Sequence, residues 1–236
     1  MPTTGAEQIN AIVAARLAHP AALIDHTLLA ATARPEQIAL LCEEAVEYGF
    51  AAVCIPPLFV ALASDSLYGS EVAVATVVGF PFGYEMTAVK VEQTRLALKA
   101  GAGEIDMVIQ QGAALAGDFA AVEADIRAVV RAAEGAQVKV ILECCRFDAV
   151  SKQALVAAAV AAGASSVKTS TGFAEGGATL DDVRLLSAVA NGRAGVKAAG
   201  GVRDWLFCRQ LILAGATRIG TSAGVAIIEQ WRQIHL

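Results

Sequence analysis

The chain has 236 residues, 56% of them hydrophobic and only 17% charged, with a formal net charge of −5 at pH 7. So much apolar side chain requires a large core buried on both faces of a sheet, and the interspersed acidic balance excludes the basic footprint of a nucleic-acid binder. The longest uncharged run, Tyr48 to Ser64, is interrupted by Gly49 and by Pro56 and Pro57. No membrane span or targeting segment is expected, and the chain reads as cytoplasmic.

Residues 1–20 read as a helical extension, with a helix over Gln8–Leu17, and residues 21–236 as one domain. Short apolar runs suited to buried strands follow at Ala21–Asp25, Ala51–Cys54, Val72–Val78, Glu104–Ile109, Val138–Glu143, Ser165–Thr169, Gly195–Ala199 and Thr217–Gly220. Between them lie segments of helical period, among them Pro35–Tyr48, Val89–Ala100, Ala120–Ala133 and Asp181–Ala190. Asp118 and Thr179 stand where helix N-caps belong. Alternating strands and helices imply a parallel sheet, and no GxGxxG follows the first strand as an open nucleotide-binding sheet would require. The pattern predicts an α/β fold, a single (β/α)8 TIM barrel with an extra N-terminal helix.

In such a barrel the chemistry gathers at the C-terminal ends of the strands, and alternation decides which side chains face the lumen. Ile105, Met107 and Ile109 are apolar and face the helices, which turns Glu104 and Asp106 inward. The same parity turns Lys139, Lys168, Lys197, Asp25 and Cys54 inward, and His26 away from the lumen. Buried ammonium groups are costly unless paired, and lysine lowers its pKa readily when desolvated or set beside another cation. A neutral amine beside a cation and a carboxylate is the equipment for attack on a carbonyl. Internal ion pairs, Lys197 with Asp106 or Lys139 with Glu104, are the alternative use of the same residues.

Glycine-rich turns follow the last strands, at Gly200-Gly201-Val202-Arg203 and Gly220-Thr221-Ser222, with Thr171 and Gly172 after the sixth. Backbone amides in such turns and the helix N-termini behind them suit a phosphate. Thr171, Gly172, Gly200, Gly201, Arg203, Gly220 and Ser222 are therefore candidate phosphate ligands, with Asp25 and Cys54 candidates for contact with substrate. Cys54 has no histidine base and also reads as a small core residue. The stretch Gly79-Phe80-Pro81-Phe82-Gly83 is expected to shape the rim. The five cysteines (Cys42, Cys54, Cys144, Cys145, Cys208) form no CxxC pair, and His19, His26 and His235 form no cluster, so reduced thiols and no metal or other cofactor are expected.

Six motifs in order, Ile24-Asp25-His26-Thr27-Leu28-Leu29, Val78-Gly79-Phe80-Pro81, Glu104-Ile105-Asp106-Met107-Val108, Lys168-Thr169-Ser170-Thr171-Gly172-Phe173, Val196 to Arg203 and Arg218 to Ser222, resemble the deoxyribose-phosphate aldolase family. The resemblance implies a class I aldolase that cleaves 2-deoxy-D-ribose 5-phosphate reversibly to glyceraldehyde 3-phosphate and acetaldehyde. It makes Lys168 the Schiff-base lysine, Lys197 the neighbouring cation that depresses its pKa, and Asp106 the carboxylate of the proton relay. Scission is expected at the C3–C4 bond, with proton loss from the C4 hydroxyl. The partner implied is a small phosphorylated sugar, with neither nucleic acid nor membrane, and a homodimer is the default assembly. Two departures stand out. Phe173 occupies a position where some members carry a phosphate-holding lysine, and Glu229 to Leu236 contains no tyrosine of the kind some members carry in a C-terminal tail.

Overall fold

Eight parallel strands hydrogen-bond in chain order and close on themselves, β1 pairing with both β2 and β8. The computed structural model describes residues 5–235. Its strands are β1 (Ile24–Thr27), β2 (Ala52–Ile55), β3 (Ala73–Val78), β4 (Glu104–Val108), β5 (Gln137–Ile141), β6 (Ser166–Lys168), β7 (Gly195–Ala199) and β8 (Arg218–Thr221). The helices are α1 (Gly5–Ala18), α2 (Pro35–Tyr48), α3 (Val60–Ser66), α4 (Thr87–Lys99), α5 (Gln111–Leu115), α6 (Phe119–Ala132), α7 (Ala149–Ala161), α8 (Leu180–Ala190), α9 (Trp205–Leu213) and α10 (Gly224–His235). This is the (β/α)8 barrel that the alternation predicts.

The expected caps close their helices: Asp118 accepts from the Ala121 N–H at 3.0 Å and Thr179 from the Asp182 N–H at 3.1 Å. The helix predicted over Gln8–Leu17 falls within α1, whose Leu17 carbonyl accepts from the Trp231 indole N–H at 3.2 Å. Most strand bounds shift by a residue from expectation, and two larger shifts have a local cause. The first strand begins three residues later, at Ile24, because Pro20–Leu23 winds into a 3-10 turn. Proline opens such a turn easily, and a short apolar run carries no periodicity that would separate turn from strand. The fifth ends at Ile141, before the expected Glu143. Glu143 takes φ 59°, which no strand accommodates, and leads into a 3-10 turn at Cys144–Arg146.

Ile105, Met107 and Ile109 join the large apolar layer between barrel and helices. Inside the barrel the apolar part is small: Ala52, Cys54, Ala75 and Val77, from β2 and β3, with Phe80 packed on them. Val108 and Ile141 share the inward parity of Asp106 and Lys139, and charged side chains occupy much of the rest of the lumen. Among the described residues no helix is long and apolar enough to cross a membrane.

Candidate active site

Parallel register carries inward-facing residues from strand to strand. Asp106 pairs with Lys139, and Lys168 pairs with Lys197. Asp25 on β1 and Arg218 on β8 face the same space, and together these side chains form a ring of alternating charge. Arg218 donates to Asp25 at 2.9 Å and to Glu104 at 3.0 Å. Lys139 lies 2.5 Å from Glu104 and 2.9 Å from Asp106. Lys197 donates to Asp106 at 2.7 Å and closes the ring through a short contact with Asp25. Each of the three cations thus bridges at least two of the three carboxylates, and Lys139 also comes within 3.7 Å of Asp25. Both ion pairs foreseen as alternatives, Lys197 with Asp106 and Lys139 with Glu104, are present.

Lys168 stands outside the ring. It donates to Asp106 Oδ2 at 2.7 Å, the same oxygen that Lys197 reaches. Burial by itself would raise the Asp106 carboxyl, but Lys139, Lys168 and Lys197 outweigh it and hold the group well below the usual carboxylate range. The same competition, won by Lys197, Lys139 and Arg218, lowers Asp25. Burial would lower Lys197, yet Asp106 and Asp25 raise it above the ordinary lysine value, and Lys139 is raised in the same way by Asp106 and Asp25. Lys197 and Lys139 therefore favour the ammonium form. Burial and the Asp106 charge push the Cys54 thiol up, so it is a neutral neighbour, 3.9 Å from Asp106.

Above this layer opens a cavity of about 510 Å³ whose wall includes Lys168, Thr171, Gly172, Gly200, Gly201, Arg203, Gly220 and Ser222. Seven predicted phosphate-site residues therefore meet around one space. Asp25, Cys54, Asp106 and Lys197 do not line it. They are wholly buried beneath the floor, and Asp25 in particular spends its oxygens on Lys197 and Arg218. Arg203 is exposed at the mouth and forms no ion pair among the described residues. Gly200 and Gly201 have φ of +92° and +77°, a left-handed pair that other residues adopt at a cost. Gly220 also serves Lys197, because a Cβ there would stand 3.0 Å from Lys197 Cε.

The expected rim loop is in place. Phe80 meets Phe173 edge to face at 5.3 Å, and Phe173 adds an apolar wall to the cavity. Two residues acquire roles that sequence reading did not assign. Glu143, buried, accepts from the Thr171 N–H at 3.2 Å and from its hydroxyl at 2.5 Å, fixing the turn above Lys168. Arg218 belongs to the ring. Its parity with Gly220 turns it inward, although it opens its strand at the end away from the cavity. His26 faces the helices, as alternation indicated, and contacts Glu44 at 2.7 Å.

Fold and site together define a barrel enzyme with a lysine at the floor of a cavity rimmed by glycine-rich turns. The chain matches the DeoC/LacD family aldolase model over residues 21–230, and it belongs to that family. It is 55% identical to the deoxyribose-phosphate aldolase of Syntrophotalea carbinolica, over 91% of this chain and 97% of that one, and 54% identical to that of Deinococcus radiodurans, over 88% and 94%. The tetrameric deoxyribose phosphate aldolase of Aeropyrum pernix superposes with a TM-score of 0.87 at 34% identity, covering 98% of this chain and all of that one.

Proposed function

We propose that the chain cleaves 2-deoxy-D-ribose 5-phosphate reversibly to glyceraldehyde 3-phosphate and acetaldehyde through a Schiff base on Lys168. One observation carries the reading. Of the interior lysines Lys139, Lys168 and Lys197, it is Lys168 that reaches the cavity, and its carboxylate partner is already shared with the other two.

Lys168, as the free amine, attacks the C1 aldehyde, and loss of water leaves an iminium that withdraws electrons. Carbon counting corrects the bond expected above. A two-carbon and a three-carbon product require scission of C2–C3, with the proton lost from the C3 hydroxyl, and the C3–C4 bond stays intact. The C2–C3 electron pair moves toward the iminium and leaves an enamine on Lys168. Protonation at C2 and hydrolysis release acetaldehyde and restore the amine. Lys197 as proton donor and Asp106 as acceptor lie within reach of Lys168 and would move these protons through a water on the cavity floor. The amides of Gly172, Gly200 and Gly201, the Ser222 hydroxyl ahead of α10 and Arg203 would hold the phosphate, while Thr171, tied to Glu143, holds the turn. Gly220 would leave room for the Lys197 stem. Asp25 and Cys54 would act from below the floor rather than by touching substrate.

The enzyme is read as cytoplasmic, with a phosphorylated sugar as its partner and a homodimer as its assembly. The test is turnover of a panel containing 2-deoxyribose 5-phosphate, ketose phosphates and aldose phosphates. Release of acetaldehyde from the first alone supports the proposal. Isomerisation of an aldose phosphate with intact turnover in Lys168→Ala would replace it.

A further inference from the structure

His26 on β1 places a buried imidazole in the layer between barrel and helices. Its Nε2 contacts the Glu44 carboxylate of α2 at 2.7 Å, and its ring centroid lies 5.0 Å from that of Phe50. The other nitrogen, Nδ1, is buried and has no hydrogen-bond partner among the described residues. It is turned toward Gly224, the first residue of α10. A Cβ there would stand 3.0 Å from His26 Nδ1, 3.0 Å from Phe50 Cζ and 3.2 Å from Ile24 Cγ2. The φ of Gly224 is not left-handed, so its missing side chain serves this close approach rather than a backbone angle.

β1 and β8 pair with His26 opposite Thr221, and the chain passes through Ser222 and Ala223 into α10, whose start returns over β1. Thr221 ties the inner side of this turn, its hydroxyl donating to the Val202 carbonyl at 2.6 Å and accepting from the Ala223 N–H at 2.9 Å. Thr221 and Ser222 line the cavity. We propose that His26, held by Glu44, is a positioning residue for the substrate phosphate, setting how closely the first turn of α10 approaches the barrel. In the aldolase reading, on which this rests, the phosphate lies against that turn. A helix start attracts an anion through unpaired N–H groups and a dipole whose effect fades within one turn, so small displacements of α10 register as changes in phosphate affinity. A leucine would serve packing alone, and a buried nitrogen left unpaired costs stability. The imidazole supplies a grip instead. Glu44 fixes Nε2 from α2, and the opposite edge of the ring stops α10 at the distance that Gly224 allows.

The experiment measures kcat and KM for 2-deoxyribose 5-phosphate and for unphosphorylated 2-deoxyribose in the wild-type chain, Gly224→Ala, His26→Ala and the double variant. Gly224→Ala pushes α10 off β1 and should raise KM for the phosphorylated sugar about tenfold, with kcat/KM for 2-deoxyribose unchanged. His26→Ala removes the stop and should raise the same KM alone. In the double variant the new methyl enters the space the ring vacates, and KM should return to within about threefold of wild type. Residues that only support the fold would weaken both substrates alike, and that result overturns the proposal, as do single effects that multiply in the double variant. Should Gly224→Ala not fold, Glu44→Leu frees the ring without touching α10 and must raise KM for the phosphorylated sugar alone, while Glu44→Gln keeps an acceptor for Nε2 and must stay at wild type. An unchanged KM in the first, or an equal loss in both, overturns the proposal too. Absence of wild-type turnover of 2-deoxyribose 5-phosphate defeats the aldolase reading and this role with it, whereas wild-type turnover with no split between the two sugars among the variants defeats the role of His26 alone.

Discussion

Lys168 and Lys197 sit in register on neighbouring strands and share one oxygen of Asp106, yet their surroundings assign them opposite tasks. Lys197 bridges Asp25 and Asp106 and is wholly buried, while Lys168 has Asp106 alone and faces the cavity. Replacing each by methionine separates the tasks. Lys168→Met leaves the ring closed and neutral, so its stability in urea should match wild type while kcat falls by at least about 10³-fold. Lys197→Met takes one buried cation from both Asp25 and Asp106 and should lose about 3–5 kcal/mol of stability in the same titration. Equal destabilisation by both would show that Lys168 belongs to the ring. At the mouth, Arg203→Met should raise KM for the phosphorylated sugar about tenfold, the worth of one charge-assisted contact, and leave unphosphorylated deoxyribose unaffected.

The cavity wall depends on a close approach of two loops. The Ala178 N–H donates to the Gly200 carbonyl at 3.0 Å, and a Cβ on Gly177 would lie 2.4 Å from that same oxygen. Backbone cannot swing aside as a side chain can. Gly177→Ala should therefore cost about 2 kcal/mol and raise KM, whereas Gly201→Ala, with open space around it, should cost about 1 kcal/mol from left-handed strain alone. Thermal melts and Michaelis constants of the two variants check the ranking. Strand interiors were legible because parity is strict: β7 falls where its Val196 and Ala198 alternate with Lys197, and α2 where Pro35 and Gly49 bound it. Strand ends were not. The run Ala21–Leu23 suits turn and strand equally, and the φ of Glu143 is set by its tertiary hold on Thr171, which local pattern does not encode.

For the molecule as a whole, the ring ties five strands, β1, β4, β5, β7 and β8, to one electrostatic unit. Its pH dependence follows from the shifts. The lowered Asp25 and Asp106 contribute stability above the ordinary Asp value of about 3.9 and lose it as pH falls through their folded values. The raised Lys139 and Lys197 contribute below the ordinary Lys value of about 10.4 and lose it as pH rises through theirs. The melting temperature should stay level between about pH 5 and pH 9 and fall on both sides. A steep change within that interval contradicts a ring so charged. The lysines and Asp106 were readable from parity alone. Arg218's place was not, because closure of β8 onto β1 brings together residues separated by nearly the length of the chain.

The central claim is that one amine, Lys168, carries the reaction. Borohydride reduction of the enzyme in the presence of 2-deoxyribose 5-phosphate or acetaldehyde, followed by peptide mass mapping, tests it directly. A reduced two-carbon adduct confined to the peptide position of Lys168, with activity lost in proportion, is the predicted result. An adduct on Lys197 or Lys139, or full turnover with no adduct at all, would contradict it.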